Sequence, residues 1–196
     1  MKFFLAPMQG LTGYTVRNAF HHHFDYIDKY YTPFIPAAKR MNAKIKRDID
    51  PVNNDGITLI PQAMSIVADE VIDLHRQLVP YGYDEINVNL GCPSGTVVSK
   101  KRGSGILAYP DMLDSFLDEL YTKPDFPVSI KTRVGFNDDE LWPRLIEIYS
   151  KYPISELTVH PRVQKDFNKN TPRMDDFALA MQKINHDKTI LCYNAD

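Results

Sequence analysis

Apolar and polar residues alternate along short runs of this chain, and longer stretches of helical character separate most of them. The runs cover residues 3–8, 26–32, 58–64, 85–91, 128–134, 156–160 and 189–194. In the run 85–91, Ile86, Val88 and Leu90 share one parity while Asn87 and Asn89 share the other. Successive side chains on a strand point to opposite faces, so the two asparagines face away from the apolar packing layer. The run 128–134 behaves alike: Val128, Ile130, Thr132 and Val134 alternate with Ser129, Lys131 and Arg133. Helices are predicted over 67–78, 110–120, 139–149 and 175–184, with Pro110 and Asp139 as start signals. Strands alternating with helices predict a parallel sheet covered by helices, and seven strand units favour a (β/α)8 TIM barrel over an open doubly wound sheet. Residues 39–55 break the pattern. They carry Lys39, Arg40, Lys44, Lys46 and Arg47, and read as an extended loop or a short helix.

Composition narrows the class. A chain of 196 residues is long enough for one domain with a full core. Its 43% hydrophobic and 24% charged residues are those of an ordinary globular protein, which argues against a disordered or fibrous chain. No apolar run approaches the roughly 18 residues of a membrane span, and Met1 to Pro7 is too short to resemble a secretory leader. Cys92 and Cys192 are therefore expected as reduced thiols in a cytoplasmic protein. The formal net charge of −2 makes no global case for nucleic-acid binding, so any such contact needs a local basic patch. No metal site is expected at His21-His22-His23, because adjacent residues on a helix do not share a face.

The chemistry emerges from parity. Inward sets are Ile60, Gln62 and Met64; Asn87 and Asn89; Ser129, Lys131 and Arg133; Thr158 and His160, continued by Arg162; and Ile190, Cys192 and Asn194. Gln62, Asn89, Lys131, His160 and Asn194 thus fall near the carboxyl ends of different strands, where barrels of this kind keep their chemistry. Any one of them reads equally well as a solvated strand-end side chain. Their matched placement points instead to one shared mouth. A buried lysine between apolar neighbours is costly without an anion or acceptor, which suits a flat, hydrogen-bonding ligand with an anionic electron sink. Beyond the strand, Gly91 is expected to allow a turn without Cβ strain, Cys92 to sit at its tip, and Pro93 to end the ladder. A free cysteine is more often a small buried hydrophobe. The loop position of Cys92 argues against that, and no adjacent histidine or CxxC supports a protease or a zinc site. Acid chemistry is the better reading for Cys92, and packing for Cys192.

Taken in order, these residues resemble the tRNA-dihydrouridine synthases, flavin-dependent (β/α)8 enzymes with an added helical domain. The matching segments are Leu5-Ala6-Pro7-Met8-Gln9-Gly10-Leu11-Thr12, Pro61-Gln62, Ile86 through Pro93, Gly103-Ser104-Gly105, Val128 through Arg133, and Leu157 through Arg162. Asn89-Leu90-Gly91-Cys92-Pro93 is the most specific of them. The resemblance implies FMN across the barrel mouth, with the Pro7–Met8 backbone and Gln62 against the ring, Lys131 at its pyrimidine end and His160 in support. It implies Asn194 toward the ribityl chain, Arg162 facing flavin or RNA, and Asn89 and Arg133 on the uracil. NADPH would reduce the flavin, hydride would pass to C6 of a tRNA uridine, and Cys92 would protonate C5. Thiols are ordinarily protonated at neutral pH and can donate. The uridine would have to be unstacked or flipped to enter.

Two departures are visible. Asn194-Ala195-Asp196 stands where the family has Asn-Gly-Asp, and a turn needing positive φ there would be strained at Ala195. The chain is also expected to cover the barrel only through about strand seven, without the later phosphate-binding loops or the helical RNA-binding domain. On that expectation it holds FMN poorly alone and self-associates through an open barrel edge. Two other functions fit the same residues: an FMN barrel oxidoreductase acting on a small pyrimidine, such as a dihydroorotate dehydrogenase relative, and a non-catalytic remnant that binds RNA or a partner protein.

Overall fold

The alternating runs become parallel strands that form a barrel wall, apolar on its outer face and polar within. The structure is a computed structural model and describes residues 1–123 and 126–195. Its strands are β1 (Phe3–Leu5), β2 (Ile27–Tyr31), β3 (Ile35–Pro36), β4 (Leu59–Ile60), β5 (Gln62–Met64), β6 (Ile86–Leu90), β7 (Val128–Gly135), β8 (Glu156–Val163) and β9 (Ile190–Tyr193). Its helices are α1 (Tyr14–His23), α2 (Ala43–Ile49), α3 (Ala68–Leu78), α4 (Gly95–Val98), α5 (Pro110–Thr122), α6 (Trp142–Ser150) and α7 (Met174–Lys183). Hydrogen bonding links β1-β2-β4 and β3-β5-β6-β7-β8-β9, every pair parallel. Pro61 separates β4 from β5 because it has no N–H for the ladder. Its carbonyl still accepts from the Asn87 amide at 2.9 Å, so residues 59–64 act as one segment of the wall. The architecture is a TIM barrel, with β1 and β9 as the terminal strands of the wall order.

Burial follows the predicted parity. Ile86, Val88 and Leu90 are fully buried, as are Ile130, Val134, Leu157 and Val159, and they pack with Leu74, Leu78, Leu113, Leu117, Leu145 and Tyr149 in one core. Each fully buried large apolar side chain contributes about 1.5–3 kcal/mol, so this layer is the main stabilising term. Thr132 has the same outward parity, and its hydroxyl is satisfied by the Tyr149 hydroxyl at 2.9 Å. Trp142 is buried at the start of α6 and ties α6 to α7 by donating its indole N–H to the Asp176 carbonyl at 2.9 Å.

Two boundaries differ clearly from expectation, while the basic segment takes one of the two forms expected of it. The helix expected from Asp139 begins at Trp142, because the Asp139 carbonyl accepts the Trp142 amide from a preceding turn. Strand β8 continues past His160 through Pro161 to Val163, and the β7–β8 register shifts between Arg133 and Gly135 where that proline offers no N–H. The basic segment is partly helical, as α2, and Asn42 caps it by accepting the Ile45 amide at 3.0 Å.

Helix α1 buries a cation rather than an apolar stripe. Arg17 is 0% exposed and donates to the Thr12 carbonyl (2.8 Å), the Asp48 carboxylate (3.2 Å), the Asp48 carbonyl (2.6 Å) and Asn54 Oδ1 (2.9 and 3.2 Å). Asp48 also accepts the Tyr14 amide at 2.7 Å, so α1, α2 and the turn after α2 are clamped together at one point. Burial lowers the Arg17 pKa, with Asp48 opposing that shift.

Candidate active site

A cavity of about 520 Å³ opens at the carboxyl ends of the strands. Pro7, Met8, Gln62, Asn89, Cys92, Lys131, Arg133, His160, Arg162 and Asn194 all line it, so every site residue expected from the sequence comes to one place. Strand register explains the convergence: Asn89 lies beside Lys131, Arg133 beside His160, and Gln62 beside Asn87. A second cavity, of about 640 Å³, lies within the barrel between β1 and β9 and shares Pro7, Lys131 and Asn194 with the first.

The floor is a chain of side-chain amides. Gln62 donates through Nε2 to Asn87 Oδ1 at 2.7 Å and accepts at Oε1 from Asn89 Nδ2 at 2.7 Å. Asn87 passes the chain on to the Ser129 hydroxyl at 3.0 Å. Asn89 Oδ1 accepts the backbone amides of Gly91 (3.1 Å) and Cys92 (2.8 Å). An amide carries two N–H donors, so Asn89 keeps one for a ligand.

Four further contacts hold the loop that presents Cys92. Ser104 donates to the Cys92 carbonyl from its amide (3.1 Å) and its hydroxyl (2.9 Å), Gln164 donates to the Pro93 carbonyl (3.0 Å), and Arg133 Nε donates to the Gly91 carbonyl (3.0 Å). The glycine this loop depends on is Gly103 rather than Gly91. Gly91 lacks a left-handed φ, and a Cβ there would make ordinary contact at 3.4 Å with Thr132. Gly103 has φ +55°, and a Cβ there would stand 2.7 Å from the Cys92 carbonyl oxygen. Cys92 itself is half-buried.

Positive charge gathers beside this loop. Arg133 is almost fully buried, and besides Gly91 it donates to the carbonyls of Val163 (3.0 Å) and Phe167 (2.6 Å) and to Asn168 Oδ1 (3.2 Å). Four of its five N–H groups are thus committed to loops. Burial, then the neighbouring Arg162, brings its pKa down to about 10, so it stays charged at neutral pH. Arg162 donates to the Asn170 carbonyl and lies 3.2 Å from His160 Nε2. Lys131 differs from both. It is half-buried and makes no hydrogen bond or ion pair among the described residues. Burial, then Arg133, pushes its pKa down to about 8.

Asn194 and Ala195 line both cavities. Among the described non-glycine residues only Lys101 and Phe167 have left-handed φ, so the strain expected at Ala195 does not arise, and Asp196 lies outside the described residues. Cys192 has the expected inward parity but not an apolar setting. It sits half-buried beside Thr158 and Glu156, and burial followed by Glu156 pushes its thiol up to about 12.

Two features were not anticipated. Asn168 lines the cavity and braces Arg133 from a polar run after β8, and the left-handed turn at Phe167 (φ +54°) puts it there. Deeper in the barrel, buried Glu156 accepts from the hydroxyls of Tyr31 and Thr158 and from Lys29 Nζ at 3.0 Å. Among the described residues no group of three or more His, Cys, Asp and Glu is placed to hold a metal ion, and no helix is long and apolar enough to cross a membrane.

Comparison with known proteins gives a consistent result. A family model described as dihydrouridine synthase (Dus) matches residues 4–191. The tRNA-dihydrouridine synthase B of Pasteurella multocida is 25% identical over 192 residues, 93% of this chain and 55% of that protein. The tRNA-dihydrouridine synthase B of Escherichia coli K12 is 30% identical over 116 residues, 59% of this chain and 36% of that protein. A probable tRNA-dihydrouridine synthase of Staphylococcus aureus is 33% identical over 94 residues, 47% of this chain and 28% of that protein. The matched regions therefore span about half or less of these relatives' lengths. Among solved structures, a variant of NCR from Zymomonas mobilis superposes with a TM-score of 0.64 at 10% identity, covering 100% of this chain and 74% of that one, a likeness of fold.

Proposed function

Because the chain belongs to the dihydrouridine synthase family, we propose that it reduces uridine to 5,6-dihydrouridine in tRNA, with FMN as cofactor, NADPH as reductant and Cys92 as general acid. One pairing supports this most: the loop thiol of Cys92 and the unpartnered cation of Lys131 line the same cavity. A half-buried ammonium without a protein partner calls for an anion or an electron-rich ring edge. The donor set fits a flavin on that ground, with Lys131 at its pyrimidine end.

When bound, FMN would supply hydride chemistry toward C6 of the uridine, with NADPH as the source of the electrons. The chain's own residues do the rest. Pro7, Met8 and Gln62 would hold the ring, His160 and Arg162 would support it, and Asn194 would meet the ribityl side, since all six line the cavity. The remaining N–H of Asn89 and that of Arg133 orient the uracil. Cys92 gives its thiol proton to C5: the S–H bond breaks, a C5–H bond forms, and solvent reprotonates the thiolate. The uridine leaves its stack to reach this point, because paired bases are closed to such chemistry. The reading includes a cytoplasmic setting.

The test is nucleoside mass spectrometry of tRNA lacking dihydrouridine after incubation with the protein, FMN and NADPH. Dihydrouridine should form only when both FMN and NADPH are present. Its absence from a preparation with flavin demonstrably bound would remove the reading.

A further inference from the structure

A second groove, of about 480 Å³, adjoins the site between the loop after β1, the end of β2 and helix α2. Gln9 and Phe34 line both the groove and the site cavity, so the two are continuous. The groove sets the half-buried rings of Tyr14 and Phe34 beside the exposed side chains of Lys44 and Arg47. Lys39, Arg40 and Lys46 are exposed nearby, and no acidic residue occurs between 39 and 47. None of these five cations makes an ion pair among the described residues. The nearest acid, Asp48, is already bound to buried Arg17 at 3.2 Å and to the Tyr14 amide at 2.7 Å. That clamp holds α2 in place, so the charge is presented on a fixed element.

We propose that this groove seats the unpaired nucleotides flanking the target uridine, with phosphates on Lys44 and Arg47 and a base against Phe34 or Tyr14. The inference rests on the reading that the substrate is an RNA. Its chemistry is general: proteins that hold single strands combine a positive groove with aromatic platforms. A base drawn into the site leaves its neighbours unstacked, and a continuous groove of this composition gives them a place to lie.

The test is fluorescence anisotropy of a labelled short oligouridylate with the full chain, over a range of salt concentrations. Each phosphate contact to a single strand contributes a slope of about −0.7 in log affinity against log salt. The double variant Lys44→Ala/Arg47→Ala should therefore flatten the slope by about 1.4. Lys183→Ala/Lys188→Ala removes the same charge around α7 and should leave the slope as it is. Phe34→Leu should weaken binding about fivefold or more without changing the slope, the signature of a lost stacking surface. Equal slopes for parent and Lys44→Ala/Arg47→Ala would overturn the proposal. So would a parent that ignores oligouridylate but binds a polyglutamate peptide, which would make the groove a seat for acidic protein. The two readings fail separately. A chain that makes no dihydrouridine yet shows the flattened slope keeps the groove, and one that makes dihydrouridine with unchanged slope and KM in the double variant loses it.

Discussion

Arg133 donates through Nε to the carbonyl oxygen of Gly91 at 3.0 Å, so a strand residue of inward parity holds the loop that carries Cys92. The same guanidinium reaches Val163, Phe167 and Asn168, which joins the loop after β6 to the loop after β8. A lysine has one nitrogen and cannot span these acceptors. Arg133→Lys should cost about 2 kcal/mol or more, because buried carbonyls lose charge-assisted donors. Urea unfolding measures this, and a variant as stable as the parent would show the contacts to be incidental.

Gly103→Ala should act on the same loop from the other side. A left-handed alanine costs roughly 1–2 kcal/mol, and its methyl would press on the Cys92 carbonyl. Lower thermal stability is expected together with a changed rate of Cys92 alkylation. An alkylation rate equal to the parent's would mean that the loop does not depend on Gly103.

Cys92→Ala separates proton donation from electron transfer. Flavin reduction by NADPH should survive, while dihydrouridine formation falls by about 10²–10⁴-fold, the usual value of a general acid. Equal product from variant and parent would take Cys92 out of the mechanism.

Lys131→Met should have opposite effects on stability and on binding. The folded pKa of Lys131 is pushed down to about 8, against an ordinary lysine value near 10.5. The penalty for burying its charge is thus fully present below pH 8, fades between about 8 and 10.5 as the unfolded chain also loses the proton, and is absent above. The flavin-free variant should be more stable than the parent at pH 7, with that advantage gone near pH 11, and should retain FMN less well. For the parent, FMN retention should decline as pH rises through about 8. Equal retention by variant and parent would leave Lys131 as a solvated strand end.

What could be read without coordinates was governed by local period. In β6 and β7 the outward residues are buried in an apolar layer, so parity alone assigned Asn89, Lys131 and Arg133 to the interior. Helix α1 could not be bounded that way. Its only buried residue is Arg17, whose partners Asp48 and Asn54 lie more than thirty residues away in sequence. The partners of Arg133 were hidden for the same reason, since carbonyl groups leave no mark in a sequence. Asn168 depends on the left-handed turn at Phe167, a conformation an aromatic residue does not announce. The freedom from Cβ strain expected at Gly91 is needed instead at Gly103, whose close approach to the Cys92 carbonyl comes from a distant turn.

Strand β6 carries core and chemistry on the same five residues, Ile86, Val88 and Leu90 on one side, Asn87 and Asn89 on the other. A one-residue slip of β6 against β5 and β7 would send the asparagines into the helical layer and the aliphatics into the cavity. Register slips here therefore disturb both faces at once, whereas a substitution disturbs one face alone. Chain length can change without that consequence where no face is at stake, as in the exposed stretch from Ala38 to Arg40.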